Sequence, residues 1–515
     1  MPDFSEFVLS TKENSQRVSR AVQSRKLRPL GSRLHTTHLS GDAGELVRRN
    51  VWTIAPLYFP GAVIADRTAL EMKPANDGTV FLVAGSKRDI DLPGITLRAR
   101  SGVGPIEGDY PWREGLYCSS RARAFVENMI PSRARSGIAR TASKIEIEEH
   151  LTKYLRNNGE DGLNHLRDQI RTVGETLALE DEAKELDAMI GTLLGTHDAK
   201  LTAPSAIAHL SGMPFDSMRV DLFNAMHDAL RSQAPQLSRT SRIDQSEVAN
   251  FAFFESYFSN FIEGTEFEVE EAEDIVFNGA IPAERPADAH DILGTFAVVS
   301  HLEDMRRTPE DFDDFVALLK RRHTRVMEGR PDKRPGKFKV AGNRAGATTF
   351  VRPEEVVGTL QRGFEAYQRL DAPLDKAIFM MFLVAEVHPF ADGNGRAARI
   401  MMNAELSAAN ETRIIIPTVF RSNYLEGLRL MSNQGVPYTL IKTLDFAQRY
   451  AQAIEWSTIP RAISLLNKTN AFVLPEVGDS IGIRLRLPTA SDYEDEYDGG
   501  DGAGGGMAGG PGTKG

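Results

Sequence analysis

His388-Pro389-Phe390-Ala391-Asp392-Gly393-Asn394-Gly395-Arg396-Ala397-Ala398-Arg399 lies between two apolar stretches, 374–387 before it and Ile400, Met401, Met402 and Leu406 after it. Both stretches have helical spacing, so the twelve residues form a loop that opens a helix. Gly393 and Gly395 permit positive φ and close approach of backbone N–H groups to a ligand. Free N–H groups at a helix start attract anions. Arg396 and Arg399, three apart, share a helix face and reach a polyphosphate together. Asp392 offers a hard oxygen for Mg²⁺ held jointly with phosphates. His388 has the pKa range of a general base near neutrality, and Phe390 anchors the loop. As a plain structural turn the segment would supply a C-cap glycine, an N-cap Asn394 and two surface arginines. A histidine, an acid, two glycines and a cation pair in twelve residues exceed what a turn requires. The residues point to phosphate, a metal and a histidine base in one loop.

Outward from this loop, residues 246–455 read as mostly helical, with helical apolar spacing over 248–262, 289–302, 311–326, 356–370 and 374–387. Gly342-Asn343 and Gly346 interrupt a β-compatible stretch at 336–351, which predicts a hairpin. Earlier in the chain, β-rich runs at 51–54, 62–64, 79–83 and 95–97 are separated by turn signals, and 144–193 turns helical. Residues 196–245, with Pro204, Pro214 and Pro235, read as a bridge holding one helix at 221–232. Six acids fall within 491–501 and ten glycines within 499–515, a composition too poor in apolar area to order itself. The expected organisation is an α/β module at 1–200, a linker at 201–245, a helical core with a β-hairpin at 246–455, an extension at 456–490 and a disordered tail at 491–515.

Composition narrows the function classes. At 515 residues, with 41% hydrophobic and 26% charged residues, the chain builds several ordinary cores. A net charge of −10 gives no global pull toward nucleic acid or anionic membrane. The single cysteine, Cys118, excludes an intrachain disulfide framework and a multi-cysteine metal centre. The first residues lack a basic segment followed by an apolar one, and the longest apolar run, 377–385, is too short for a membrane helix. The expectation is a soluble protein of a bacterial cytoplasm, with no membrane partner.

HPFADGNGRAAR resembles the Fic motif, His-x-Phe-x-(Asp/Glu)-Gly-Asn-Gly-Arg-x-x-Arg, at every specified position. The resemblance covers about 246–455 and implies a mainly helical core that transfers AMP from ATP to a hydroxyl side chain of a target protein. It implies His388 as base, Asp392 as the Mg²⁺ ligand, and Gly393, Asn394, Gly395, Arg396 and Arg399 around the phosphates. Self-modification is a further expected outcome. Ser259-Asn260-Phe261-Ile262-Glu263-Gly264 resembles the family's inhibitory segment, in which the glutamate pairs with the second arginine; this assigns Glu263 and Ser259 to a brake on Arg399. The same pattern recurs at Glu328 and Glu426, where it reads as ordinary helix endings. Thr348, Thr349 and Phe350 fall in the family's flap, which pairs with a target's backbone. His323 reads as structural. Arg421-Ser422-Asn423-Tyr424 with Leu428 resembles the wall of an adenine pocket, with Ser432 and Asn433 at the slot of a family asparagine. Near the N-terminus, Tyr58–Leu70 and Ile90–Ile95 look similar to the antitoxin part of abortive-infection systems, which would imply a winged-helix-like element. Arg17, Arg20, Arg25, Lys26, Arg28, Arg33, Arg48 and Arg49 would then face DNA. The favoured function is an autoinhibited adenylyltransferase. The rivals are a DNA-binding regulator whose core senses nucleotide, and an enzyme that removes AMP.

Overall fold

A computed structural model describes residues 4–112, 115–134, 137–233, 238–346 and 348–494. The chain divides into two compact units, Met1–Pro214 and Phe215–Gly515. The division falls inside the stretch read as a bridge. That stretch holds two helices, Pro204–Leu210 and Ser217–Ser232, rather than one. The second packs Phe223, Met226 and Leu230 into the core of the second unit. The glycine-rich tail from 495 onward lies outside the described residues; Asp492 just before it is ordered and caps a short turn with Thr489.

The first unit is α/β. A three-stranded antiparallel sheet has Leu34–Thr36 between Phe7–Leu9 and Arg28–Gly31, with helix Ser15–Gln23 between the outer strands in sequence. A six-stranded mixed sheet follows, in the order Arg88–Leu92, Ile95–Ser101, Thr79–Ala84, Val63–Ile64, Tyr117–Cys118, Tyr110–Pro111. Residues 51–54, expected as a strand, open helix Val51–Tyr58 instead. Their β-branched side chains favour strands, but Val51, Ile54, Ala55 and Tyr58 recur at helical spacing and all are buried. Helices Lys144–Leu177 and Glu180–Leu193 fill the expected helical region. Three of the eight basic residues of the N-terminal stretch are engaged locally. Arg17 lies over the Phe4 ring, Arg28 donates to the Gly41 carbonyl, and Arg49 pairs with Glu45.

Among the described residues the second unit is helical apart from one small hairpin and an isolated bridge between Thr240 and Glu411, and it carries the motif. Its centre is helix Pro373–Val387, started by a proline in its first turn and buried on nearly every side from Ala377 to Val384. The motif helix, Asn394–Ala408, packs along it. Helices Val248–Ile262, Pro286–Val299 and Phe312–Val326 surround the start of the motif helix and supply the polar groups described below. The hairpin is limited to Arg344–Ala345 against Thr348–Thr349. Among the described residues no helix is long and apolar enough to cross a membrane.

Candidate active site

The motif loop is built from contacts within itself. Helix Pro373–Val387 stops at His388, whose φ of 51° is left-handed and is followed by proline. Gly393, at φ 74°, caps the next helix, and a Cβ there would strike Met327 and His323. Asn394 is not the N-cap. Its side chain closes the loop instead, accepting from the Phe390 N–H at 2.8 Å and donating to the Phe390 carbonyl at 3.0 Å. The Phe390 ring is fully buried and stacks on His323 at 3.6 Å. His323 Nε2 lies 2.8 Å from the Asp392 carbonyl, and its Nδ1 accepts from the Gly336 N–H at 2.9 Å. A carbonyl only accepts, so the His323 proton sits on Nε2. Burial holds this ring's pKa down to about 4, so it stays neutral as a strut.

His388 takes the opposite tautomer. Its Nδ1 lies 3.3 Å from the Ala385 carbonyl, which places the proton on Nδ1 and leaves the Nε2 lone pair free. Burial lowers its pKa to about 4; Lys339 acts in the same direction, while Glu263 and Asp392 oppose. Phe350 lies flat against one face of the ring, 3.8 Å away and 6° from parallel. At neutral pH His388 is therefore an unprotonated base with a defined accepting atom. Asp392 Oδ1 accepts from the Gly393 N–H at 2.7 Å. Among the described residues no three His, Cys, Asp or Glu side chains cluster as a metal site.

The two arginines are both buried, not on the surface. Arg399 donates to the Ser259 hydroxyl at 3.0 Å, to the Ser259 carbonyl at 2.7 Å and to Glu263 Oε1 at 2.7 Å. Glu263 caps helix Val248–Ile262, and Gly264 follows at φ 88°. The carboxylate also lies over the start of the motif helix: a Cβ on Gly395 would collide with Glu263 Oε1. The negative charge thus occupies a helix N-terminus, where the backbone dipole favours it. The other two copies of the pattern make local pairs only, Glu328 with Arg325 and Glu426 with Arg429.

Arg396 has a partner that the sequence did not point to. Its Nη1 lies 2.8 Å from Asp291 Oδ2, on helix Pro286–Val299, and 3.4 Å from Asn260 Oδ1. The same Asp291 oxygen accepts from Arg330 Nη2 at 2.7 Å. One carboxylate, 2% exposed, therefore serves two guanidiniums. Neither Asp291 nor Asn260 carries a local signal; only the packing of three helices brings them to Arg396. Arg219, also unforeseen, pairs with buried Glu386 and donates to the Thr349 carbonyl at 2.6 Å. Ser432 bonds to Glu386 as well, while Asn433 is exposed and outside the site. Tyr424 is 1% exposed, packed against Arg399 with its hydroxyl 3.3 Å from Met381 Sδ. It lies in the buried cluster that also holds Met381 and Met401. Thr348 and Thr349 form the short second strand of the hairpin, and Phe350 ends it against His388.

Residues 312–406, from the helix of His323 to the end of the motif, match the model of the Fic/DOC family. Over these residues the chain is similar to the Fic/DOC family. Relatives of the Fic domain include the protein adenylyltransferase fic-1 of Caenorhabditis elegans, 24% identical over 266 residues, 50% of this chain and 51% of that protein. The protein of the same description from Caenorhabditis briggsae is 24% identical over 248 residues, 46% of this chain and 48% of that one. Protein adenylyltransferase Fic of Drosophila willistoni is 32% identical over 135 residues, 25% of this chain and 26% of its own. The chain thus spans about half the length of the fic-1 relatives. Among solved structures, residues 134–508 of C. elegans Fic-1 align at a TM-score of 0.34 and 18% identity, covering 64% of this chain and 90% of that one.

Proposed function

We propose that this chain is a protein adenylyltransferase restrained by its own Glu263. The observation that carries the proposal is the Arg399–Glu263 pair at 2.7 Å, set over the helix start that would take phosphate. The naming of the relatives as adenylyltransferases supports the same chemistry. His388 Nε2 takes the proton of a target Ser, Thr or Tyr hydroxyl. The oxygen then attacks the α-phosphorus of ATP, the bond to the β-phosphate breaks, and pyrophosphate leaves. Arg396, Arg399 and the N–H groups from Gly393 to Gly395 orient the phosphates and offset their charge, which is where most of the acceleration of such transfers arises. Asp392 would hold Mg²⁺; a lone carboxylate fits an ion whose other ligands are phosphate and water. When bound, that ion supplies further charge neutralisation at the phosphates.

While Glu263 holds Arg399, the triphosphate lacks its second guanidinium and lies unproductively. Label transfer from α-³²P-ATP with Mg²⁺ tests this in wild type, Glu263→Gly and Glu263→Gly/His388→Ala. Label should appear on protein in Glu263→Gly alone. Equal labelling of wild type and Glu263→Gly would refute the brake. Persistent labelling without His388 would refute the base, and no labelling in any form would favour a nucleotide sensor.

A further inference from the structure

Lys339 is 5% exposed, an uncommon place for a lysine. Among the described residues its ammonium has polar partners but no carboxylate: Asn343 Oδ1 at 2.7 Å and the Val387 carbonyl at 3.4 Å. Burial, with Arg219 nearby, lowers its pKa to about 8, so at neutral pH it is still largely a cation. Val387 is the last residue of its helix, where carbonyls have no intrahelical partner and the dipole attracts positive charge. The Lys339 N–H donates to the Pro389 carbonyl at 2.9 Å. Asn343, held by the Lys339 ammonium, donates to the Phe390 carbonyl at 2.9 Å. The carbonyls of 387, 389 and 390 are thus all tied to one lysine–asparagine pair, and His388 lies between them. His388 is itself in a left-handed conformation that a non-glycine residue adopts at a cost of about 1 kcal/mol. Something must hold it there, and this grip does so from both sides. An apolar side chain at 339 would fill the same space and keep the backbone bond to Pro389, but would lose the ties to Val387 and Asn343.

We propose that Lys339, acting with Asn343, is a positioning residue that sets the backbone of His388 so that Nδ1–H meets Ala385 and Nε2 faces the reacting hydroxyl. The inference rests on His388 as the base. Lys339 touches no reacting atom in this scheme. Its removal leaves the phosphate-binding groups in place, so it acts on the chemical step and not on ATP capture.

The variants are Lys339→Met, which keeps length and loses the donor, Lys339→Arg, which keeps a donor, and Asn343→Ala. The first readout needs no activity. The full chain is labelled with ¹⁵N-histidine, and His388 is assigned by its missing signals in His388→Ala. The parent should show a single Nδ1–H tautomer. Lys339→Met and Asn343→Ala should show mixed or broadened His388 signals while His323 keeps its own tautomer, and Lys339→Arg should resemble the parent. The second readout is AMP transfer in the Glu263→Gly background. Lys339→Met should lower kcat by 10- to 100-fold with KM for ATP within about twofold, and Lys339→Arg should recover most of it. An unchanged His388 spectrum in Lys339→Met overturns the inference, and so does a changed spectrum with unchanged kcat. Absence of transfer in every variant would count against the adenylyltransferase proposal, and the His388 spectrum alone would then decide the role of Lys339.

Discussion

Replacing Asp291 with asparagine keeps the shape of the side chain and removes the charge shared by Arg396 and Arg330. Arg330 retains Asp288 at 2.8 Å and has 24% of its side chain in solvent. Arg396, 3% exposed, keeps the long contact to Asn260 and a neutral amide acceptor at 291, but no counter-charge. Leaving a buried charge without its partner costs about 3–5 kcal/mol; partial exposure of Arg330 places the expected loss near 3 kcal/mol, or a fall in Tm of about 6–12 °C at roughly 2–4 °C per kcal/mol. The functional effect is separate. If Arg396 binds phosphate as proposed, loss of the carboxylate that orients it should weaken the triphosphate by about tenfold, or 1.4 kcal/mol. The assay is calorimetric binding of ATP and of adenosine to Glu263→Gly with and without Asp291→Asn. Adenosine lacks phosphates, so its affinity should change less than twofold. The ratio of the two affinities is insensitive to any fraction of unfolded protein. If ATP and adenosine weaken by the same factor, or neither weakens, Asp291 does not orient a phosphate-binding arginine.

Two predictions concern pH. Burial raises the pKa of Glu405, on the motif helix, from 4.5 to about 7, and the Tyr367 hydroxyl donates to it at 2.9 Å. The folded state then binds more protons than the unfolded state between these values, so this group's contribution to stability falls as pH rises from 4.5 to 7. Glu405→Gln should therefore stabilise by up to about 3 kcal/mol at pH 8 and by little at pH 4.5, read as Tm against pH; equal effects at both values would refute it. For His388, kcat/KM of Glu263→Gly should stay level as pH falls through 6.5 and decline only toward 4, because burial disfavours the charged ring and removing Glu263 removes one group that opposes this. A midpoint near 6.5 would mean an exposed, unperturbed histidine.

How far the site could be foreseen follows the range of its contacts. The Gly393 turn follows from local order, whereas Asn394, read as an N-cap or a phosphate neighbour, instead closes the loop on Phe390. The Glu263–Arg399 pair spans 136 residues, and only the resemblance of the 259–264 segment to a family pattern brought it forward. Asp291 had no such pattern around it. Lys339 and Asn343 lay in the predicted hairpin stretch, but hydrophobic alternation says nothing about which backbone carbonyls a side chain will reach. Tyr424 shows the converse. A motif-like context set it beside a nucleotide, but its burial against Arg399 is a matter of packing that no local pattern announces.

The sequence by itself determined the helix–loop–helix of the motif, its glycine-dependent turn and the helical class of its surroundings, because periodicity and turn chemistry act over a few residues. The tertiary structure alone decided that residues 51–54 are helical, that Arg396 meets Asp291, and that the Lys339 ammonium reaches the Val387 carbonyl. Those outcomes depend on which faces are buried and how helices pack. Burial then sets the protonation of His388 and makes each long-range hydrogen bond an obligation rather than an option.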